Sequence, residues 1–305
     1  MTAERKNPPI GVITDCDGVR LHYIERGDAA APCVVLFHGN GTMIQDLVLS
    51  GLVDHLAHNY RVVCFDRPGF GYSDRPHGSA WSAGTQADLI RDAFAHLGIN
   101  RPIVLGHSWG AAVALALGLN HPDAVRGLVL LSGYYYPTLR ADVLFSAPTA
   151  IPILGDLLRY SVSPFIGRAI MPLLLKGMFT PLPVPRRFTK SFPRGMSVRP
   201  GQIRAQSQDG VAMISGALSM RHRYQELSMP VVIMAGTKDR VVKDSQAVRL
   251  HEEIPHSILR LIPGVGHMVH YAVPDEVARA VEEAGKPATI SRRAERVSAV
   301  KVSAA

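Results

Sequence analysis

The sequence predicts an α/β fold built on a mostly parallel sheet, and three observations carry that prediction. Apolar runs of strand length alternate with segments of helical periodicity, the pattern of strands joined by crossover helices. The runs are rich in Val, Ile and Leu, as expected of strands covered on both faces. Finally, Gly106-His107-Ser108-Trp109-Gly110 joins an apolar run to a small-residue run, which reads as strand, sharp turn, helix.

Residues 10–14 and 21–24 read as an opening hairpin around Asp17-Gly18, a favoured hairpin turn pair. Runs at 33–37, 61–65, 103–105, 127–131, 231–235 and 258–262 supply the buried strands, which makes an eight-stranded sheet flanked by helices. The spacing predicts helices at 44–57, 81–97, 111–119, 245–253 and 274–284. Pro274 suits a first helical position and Gly285 a stop. The alternation breaks over 138–228, which is rich in Pro and basic residues and has no clear strand. Short helices are predicted there at 153–160 and 165–179, punctuated by Pro164, Pro172 and Gly177. The expected organisation is a core of 1–137 and 229–285, an α-helical cap of 138–228, and a disordered tail of 286–305.

A chain of 305 residues can bury a full core, and 47% hydrophobic with 19% charged residues fits a soluble globular protein. It has no uninterrupted apolar run of about 18 residues, so no stable membrane insertion is expected. Residues 1–18 lack the apolar stretch of a signal peptide, and Cys16, Cys33 and Cys64 suit a reducing compartment. A cytoplasmic location is therefore expected. Cys33 and Cys64 read as buried small hydrophobes, no Cys/His group has zinc spacing, and neither a metal nor a cofactor is expected. The sequence carries no signal for an oligomeric state.

The net charge of +8 is localised. Residues 138–228 hold 12 Lys/Arg and 4 Asp/Glu, so the remainder balances. No nucleic-acid motif is present and no nucleic-acid partner is expected. The excess reads first as a solvated face, second as selection of anionic substrates, and third as a membrane-facing cap.

Ser108 is the chemistry-bearing residue of the turn. A sharp strand-to-helix turn strains its backbone and lifts its hydroxyl clear of the sheet. A side chain at Gly106 or Gly110 would collide with the neighbouring strand or helix. Three further motifs accompany it: His38-Gly39-Asn40-Gly41, the run Asp66-Arg67-Pro68-Gly69-Phe70-Gly71-Tyr72-Ser73, and Gly236-Thr237-Lys238-Asp239 with Gly264-Val265-Gly266-His267. On these four motifs the chain resembles the α/β-hydrolase superfamily over about residues 10–285, in the order Ser, Asp, His that this superfamily uses.

The resemblance implies a serine hydrolase with Ser108 as nucleophile, His267 as base and Asp239 as orienting acid. A serine hydroxyl needs a base within hydrogen-bond reach, and His267 follows the last strand in a loop with Gly264 and Gly266. His55, His58, His96 and His251 fall in helical segments. His107 flanks the nucleophile but points elsewhere, and His270 is the close rival, expected on another side. Asp239 also reads as a turn aspartate bonded to its own backbone, and Asp244 as a helix N-cap. Some members place the acid after the preceding strand, but Leu131-Ser132-Gly133-Tyr134 offers no carboxylate there.

The oxyanion hole is expected from the backbone amides of Asn40 and Trp109, with Gly39 and Gly41 letting the loop approach closely and His38 a structural loop residue. Asn40 and Trp109 also resemble the halide-holding pair of haloalkane dehalogenases. Those enzymes attack with an aspartate, whose alkyl ester water can open. Alkylation of Ser108 would give an ether, a dead end, so the serine points to acyl chemistry. The elbow resembles that of proline iminopeptidases too, but their His-Gly-Gly-Pro-Gly loop is absent. His38, Gly39, Gly41, Tyr134 and Tyr135 are expected around a small-molecule substrate pocket. Apolar residues between Ile151 and Leu175, among them Leu157, Phe165 and Leu173, read first as cap-to-core packing and second as an acyl pocket. A carboxylic-ester hydrolase is the leading expectation. A C–C bond hydrolase or cofactor-free perhydrolase on the same triad is the alternative, and a ligand receptor the non-enzyme one.

Overall fold

The computed structural model describes residues 2–138, 147–151 and 153–287. A short helix, α1 (Thr2–Lys6), precedes the hairpin of β1 (Val12–Cys16) and β2 (Val19–Arg26). Asp17 and Gly18 turn that hairpin at φ 52° and 81°, the left-handed values for which Asp-Gly is suited. β3 (Cys33–Phe37) leads into α2 (Ile44–Ser50) and α3 (Leu52–Leu56), and β4 (Arg61–Phe65) into α4 (Ala83–His96). β5 (Ile103–His107) leads into α5 (Trp109–Asn120), followed by β6 (Gly127–Leu131). A helical segment then interrupts the alternation: α6 (Leu154–Tyr160), α7 (Ser163–Phe179), α8 (Arg186–Ser191), α9 (Arg194–Ser197) and α10 (Pro200–Met220). The chain returns through β7 (Val231–Gly236), α11 (Ser245–Glu253), β8 (Ile258–Ile262), α12 (Val269–Ala272) and α13 (Pro274–Ala284).

The eight strands order as β1-β2-β4-β3-β5-β6-β7-β8. The β1–β2 and β2–β4 pairs are antiparallel and every other pair is parallel. From β3 the order runs to β4 on one side and to β5 on the other, so β3 and β5 flank the point where the winding reverses. Loops leaving the carboxyl ends of adjacent strands at such a point make the crevice where this kind of sheet binds ligands. Phe37 at the end of β3 pairs with Gly106 near the end of β5, which sets the loops holding Asn40 and Ser108 side by side.

One apolar layer joins α4 and α5 to the sheet, and a second joins α2, α3 and α13 to the other face. Every residue of α5 from Trp109 to Leu119 is buried, which explains its small side chains: a helix enclosed all round must let its neighbours approach closely. The expected helix over 44–57 is two. Gly51, at φ 83°, donates its amide to Val48 O, caps α2 and starts α3.

The helical segment differs most from expectation. Its longest helix, the 21-residue α10, was not predicted. Gly201, Gly210 and Gly216 weaken its propensity, and the residues it buries are partly polar, including Gln202, Arg204, Ser207 and Asp209. The expected packing of apolar residues onto the core is corrected as well. Leu175 is buried, whereas Leu157, Phe165 and Leu173 are exposed, because α7 turns only one side toward the protein. The tail expected over 286–305 lies, beyond Pro287, outside the described residues. No single helix among the described residues is long and apolar enough to cross a membrane.

Candidate active site

Ser108 stands between β5 and α5 at φ 54°, ψ −117°, a conformation that costs a non-glycine residue on the order of 1–3 kcal/mol. Two backbone bonds hold it there: its amide donates to Leu131 O at 2.8 Å, and its carbonyl accepts from Ala111 N at 3.0 Å. A Cβ on Gly106 would lie 2.2 Å from Gly110 O, and one on Gly110 would lie 2.5 Å from Phe37 O. Both glycines are therefore demanded by space, not by φ.

The loop after β3 runs against this elbow. A Cβ on Gly39 would meet the Ser108 Cβ at 3.2 Å. Gly41, at φ 80°, turns the loop. His38 is buried with both ring nitrogens engaged. Its Nε2 accepts from the Arg67 amide at 3.0 Å, so Nδ1 carries the proton and donates to Gly39 O at 2.8 Å. Burial, reinforced by the Arg67 charge, pushes the His38 pKa down to about 4 and keeps the ring neutral. Asn40 donates from Nδ2 to Gln206 O of α10 at 3.1 Å. Trp109 is the first residue of α5, so its amide is one of the helix-start donors without an intrahelical acceptor, at the positive end of the dipole. Its buried indole Nε1 has no hydrogen-bond partner among the described residues.

Asp239 and His267 come from the loops after β7 and β8. These loops press together: a Cβ on Gly236 would lie 2.3 Å from Gly266 O. His267 Nδ1 lies 2.8 Å from Asp239 Oδ2, with both side chains buried. The carboxylate can only accept, so Nδ1 donates and Nε2 is left as the basic nitrogen. Asp239 Oδ1 accepts from the amides of Val241 and Val242 at 2.8 and 2.9 Å. Asp239 thus makes a turn cap with one oxygen and a bond to the histidine ring with the other. Asp244 occupies the residue before α11 but makes no side-chain capping bond.

His107 and His270 continue a row of buried rings behind His267. The His107 and His267 ring centroids are 4.8 Å apart, and His107 Nε2 donates to His267 O at 3.1 Å. Burial, then the neighbouring His270 and His267, hold the His107 pKa well below the usual range. The His270 ring lies 4.5 Å from that of His107, tilted by 57°, and its Nε2 is directed to Asp46 Oδ1 at 3.4 Å and not to Asp239. Asp46, His107 and His270 are also the one group among the described residues with metal-ligand atoms gathered closely, all within 4.8 Å.

Two of the residues expected around the pocket, Tyr134 and Tyr135, are anchored by their neighbours. The backbone amides of Tyr135 and Tyr136 donate to Gln246 Oε1, Tyr135 O accepts from Tyr224 at 2.6 Å, and Tyr134 bonds Thr138 O at 3.1 Å. Tyr135 is thereby built into the junction with α11, and Tyr134 is tied to Thr138 in its own loop. A polar cleft of about 460 Å³ lies elsewhere, between the loop after β4 and the start of α10, lined by Tyr72, Arg75, Arg199 and Arg204 among others.

Sequence reasoning missed the support of the loop after β3. Buried Arg67 donates to His38 O at 3.0 Å, Gly39 O at 3.2 Å, Gln86 Oε1 at 3.0 Å and Asp209 Oδ2 at 2.6 Å. Asp209 Oδ1 in turn accepts from Arg75 at 2.9 Å and Gln86 at 3.1 Å. A signal was present: Asp209 is one of 4 acids in a segment with 12 cations, and Arg67 follows an apolar strand.

A family model described as alpha/beta hydrolase fold matches residues 32–272. Over 280 residues the chain is 26% identical to haloalkane dehalogenase 2 of Mycobacterium tuberculosis (strain ATCC 25618 / H37Rv), covering 87% of this chain and 91% of that one. It is 25% identical over 284 residues to 2-hydroxymuconate semialdehyde hydrolase of Pseudomonas putida, covering 92% and 96%. Among solved structures, the enol-lactonase from Burkholderia xenovorans LB400 superposes with a TM-score of 0.72 at 18% identity, over 90% of this chain and 99% of that chain.

Proposed function

The chain belongs to the alpha/beta hydrolase fold family, and on that premise we propose that it is a serine hydrolase that cleaves a small-molecule carboxylic ester through an acyl-enzyme. The observation that carries this reading is the Asp239–His267 hydrogen bond of 2.8 Å, with the free oxygen of Asp239 pinned by two backbone amides. An imidazole so oriented presents Nε2 as a base, and Ser108 stands on the strained elbow that exposes a nucleophile.

Ser108 Oγ attacks the substrate carbonyl carbon and His267 Nε2 takes its proton. The new imidazolium is stabilised by Asp239. Negative charge gathers on the carbonyl oxygen and is held by the amides of Trp109 and Asn40. The tetrahedral intermediate collapses, the leaving alkoxide takes the proton from His267, and an acyl ester of Ser108 remains. Water, deprotonated by His267, then attacks that ester and regenerates the serine. The segment from α6 to α10 acts as a cap, since α10 reaches Asn40 through Gln206 O and Arg67 through Asp209.

Haloalkane dehalogenation fits less well despite the similarity to haloalkane dehalogenase 2. A serine alkylated at Oγ is an ether with no acyl carbon for water to attack. Asn40 Nδ2 is moreover occupied by Gln206 O. A second reading, hydrolysis of an activated C–C bond on the same residues, is favoured by the near full-length similarity to 2-hydroxymuconate semialdehyde hydrolase.

A fluorophosphonate probe and a panel of p-nitrophenyl esters of graded acyl length test the proposal. Labelling of Ser108 with turnover of at least one ester is expected. Labelling without ester turnover, together with cleavage of a dienol-type C–C substrate, selects the second reading. Absence of labelling in folded protein sinks both.

A further inference from the structure

We propose that the outer side of α6 and α7 is a docking surface for an anionic lipid bilayer, on which the protein lies without crossing it. Of the eighteen exposed large apolar side chains among the described residues, twelve fall between 151 and 182. Ile153 is 84% exposed, Leu157 67%, Phe165 69% and Leu173 72%. Isolated apolar residues on a surface need no explanation, but a contiguous set of this kind marks an interaction site.

The helical geometry sharpens the point. At 100° per residue, Phe165, Ile166, Ile170, Leu173 and Leu174 occupy about half the circumference of α7. The other half holds Leu175 and Phe179, which are buried with Met43, Phe188, Phe192 and Met268. One apolar side of α7 is thus satisfied by the protein and the other by nothing among the described residues. The preceding α6 meets α7 at 67°, and the pair is apolar enough to enter a bilayer, although neither helix is long enough alone to span one.

Charge selects the occupant. Between 147 and 198 the exposed cations are Arg168, Lys176, Arg186, Arg187, Lys190 and Arg194. The one acid there, Asp156, is paired with Arg159. Two of these cations, Arg168 and Lys176, lie on α7 itself, and Arg168 packs over the Phe165 ring. Apolar side chains with such cations among them fit the boundary of an anionic bilayer, where tails take the former and headgroups the latter. A second copy of the chain fits poorly, because a two-fold interface would set those cations against their own counterparts. The side of α7 buried with Met268, the neighbour of His267, is the one turned away from the bilayer, so the docking does not depend on the proposed function.

Co-sedimentation with vesicles tests the docking without reference to hydrolysis. The full chain is mixed with phosphatidylcholine vesicles, with or without phosphatidylglycerol. Association is expected with the anionic vesicles and should weaken as salt rises from about 0.1 M to about 1 M, where screening is nearly complete. Phe165→Glu and Leu173→Glu should each lower the partition coefficient about tenfold or more, by placing a charge in the apolar side. Both positions are exposed, so circular dichroism and turnover of a soluble ester should stay at wild-type level. Failure to sediment with either vesicle overturns the proposal, as does binding that both glutamates leave unchanged. A concentration-dependent dimer on gel filtration that the two glutamates abolish also overturns it, in favour of a second copy.

Discussion

The guanidinium of Arg67 donates to the carboxylate of Asp209 at 2.6 Å, and both side chains are almost fully buried. Arg67 comes from the loop after β4 and Asp209 from the middle of α10, 142 residues apart in sequence. Through Arg67 the same contact reaches the carbonyls of His38 and Gly39, so the loop proposed to hold the oxyanion is fixed to the helical segment above it. Burial pushes the Arg67 pKa down from its usual value, and Asp209 opposes that shift.

Removal of Asp209 should therefore be costly. Asp209→Ala leaves Arg67 and Arg75 buried without a carboxylate, a loss of about 3–5 kcal/mol for a broken buried pair. Asp209→Asn keeps the shape and should lose less. Urea unfolding measures both. A wild-type midpoint for Asp209→Ala would mean that the network adds no stability.

Ser108→Ala and His267→Ala should each lower kcat by about 10³-fold or more, and the double variant should lose little beyond either single one, because the two groups act as a unit. His270→Gln should lose far less, since His270 faces Asp46 and not Asp239. Equal losses at His267 and His270 would mean that the base has been misassigned. Losses at Ser108 and His267 that add in logarithms would argue against a shared proton transfer.

Asp239→Asn probes the orientation of the base. An asparagine keeps the size of the side chain, but its amide nitrogen can present a proton to Nδ1 and favour the wrong tautomer. A fall in kcat of about 10³–10⁴-fold is expected, with folding retained. Activity within about tenfold of wild type would reduce Asp239 to its turn-capping role on Val241 and Val242.

Much of this site was legible in the sequence because its parts lie at strand ends, where chain order fixes position. β3, β4, β6 and β8 fall where the apolar runs put them, and the elbow follows from two glycines with no room for a Cβ. The helical segment was less legible. The helix α10 buries Gln202, Arg204, Ser207 and Asp209 on two opposite sides, polar residues that hydrophobic periodicity reads as surface. The exposed side of α7 misled in the opposite sense, since apolar spacing there does not mean burial within the chain. The role of His107 was hidden for a third reason. Its partner is the carbonyl of His267, and no sequence pattern marks a side chain that holds a distant backbone atom.

Wild-type protein should release no halide from haloalkanes, although Asn40 and Trp109 match the residue types that hold halide in such enzymes. Ion chromatography after prolonged incubation measures it. Sustained halide release would show that Ser108 is not alkylated into a dead-end ether, and would overturn the choice of acyl chemistry. A single burst of halide equal to the enzyme present would instead agree with the ether.

Acid should weaken the fold through His38. In the folded chain burial, aided by the Arg67 charge, keeps this ring neutral down to about pH 4, whereas an unfolded histidine takes its proton near pH 6.5. Between those values the unfolded chain binds the extra proton, so stability is full above about pH 6.5 and falls as pH drops toward 4. The shift corresponds to about 3 kcal/mol at most. His107, also held neutral by burial, contributes with the same sign. His38→Gln should be less stable than wild type at pH 7, since it cannot reproduce both ring bonds to Gly39 O and the Arg67 amide. Its further loss on going to pH 4.5 should be smaller, so the two proteins converge in acid. Urea unfolding at both pH values decides this. Parallel losses in wild type and His38→Gln would mean that the His38 ring is not what acid attacks.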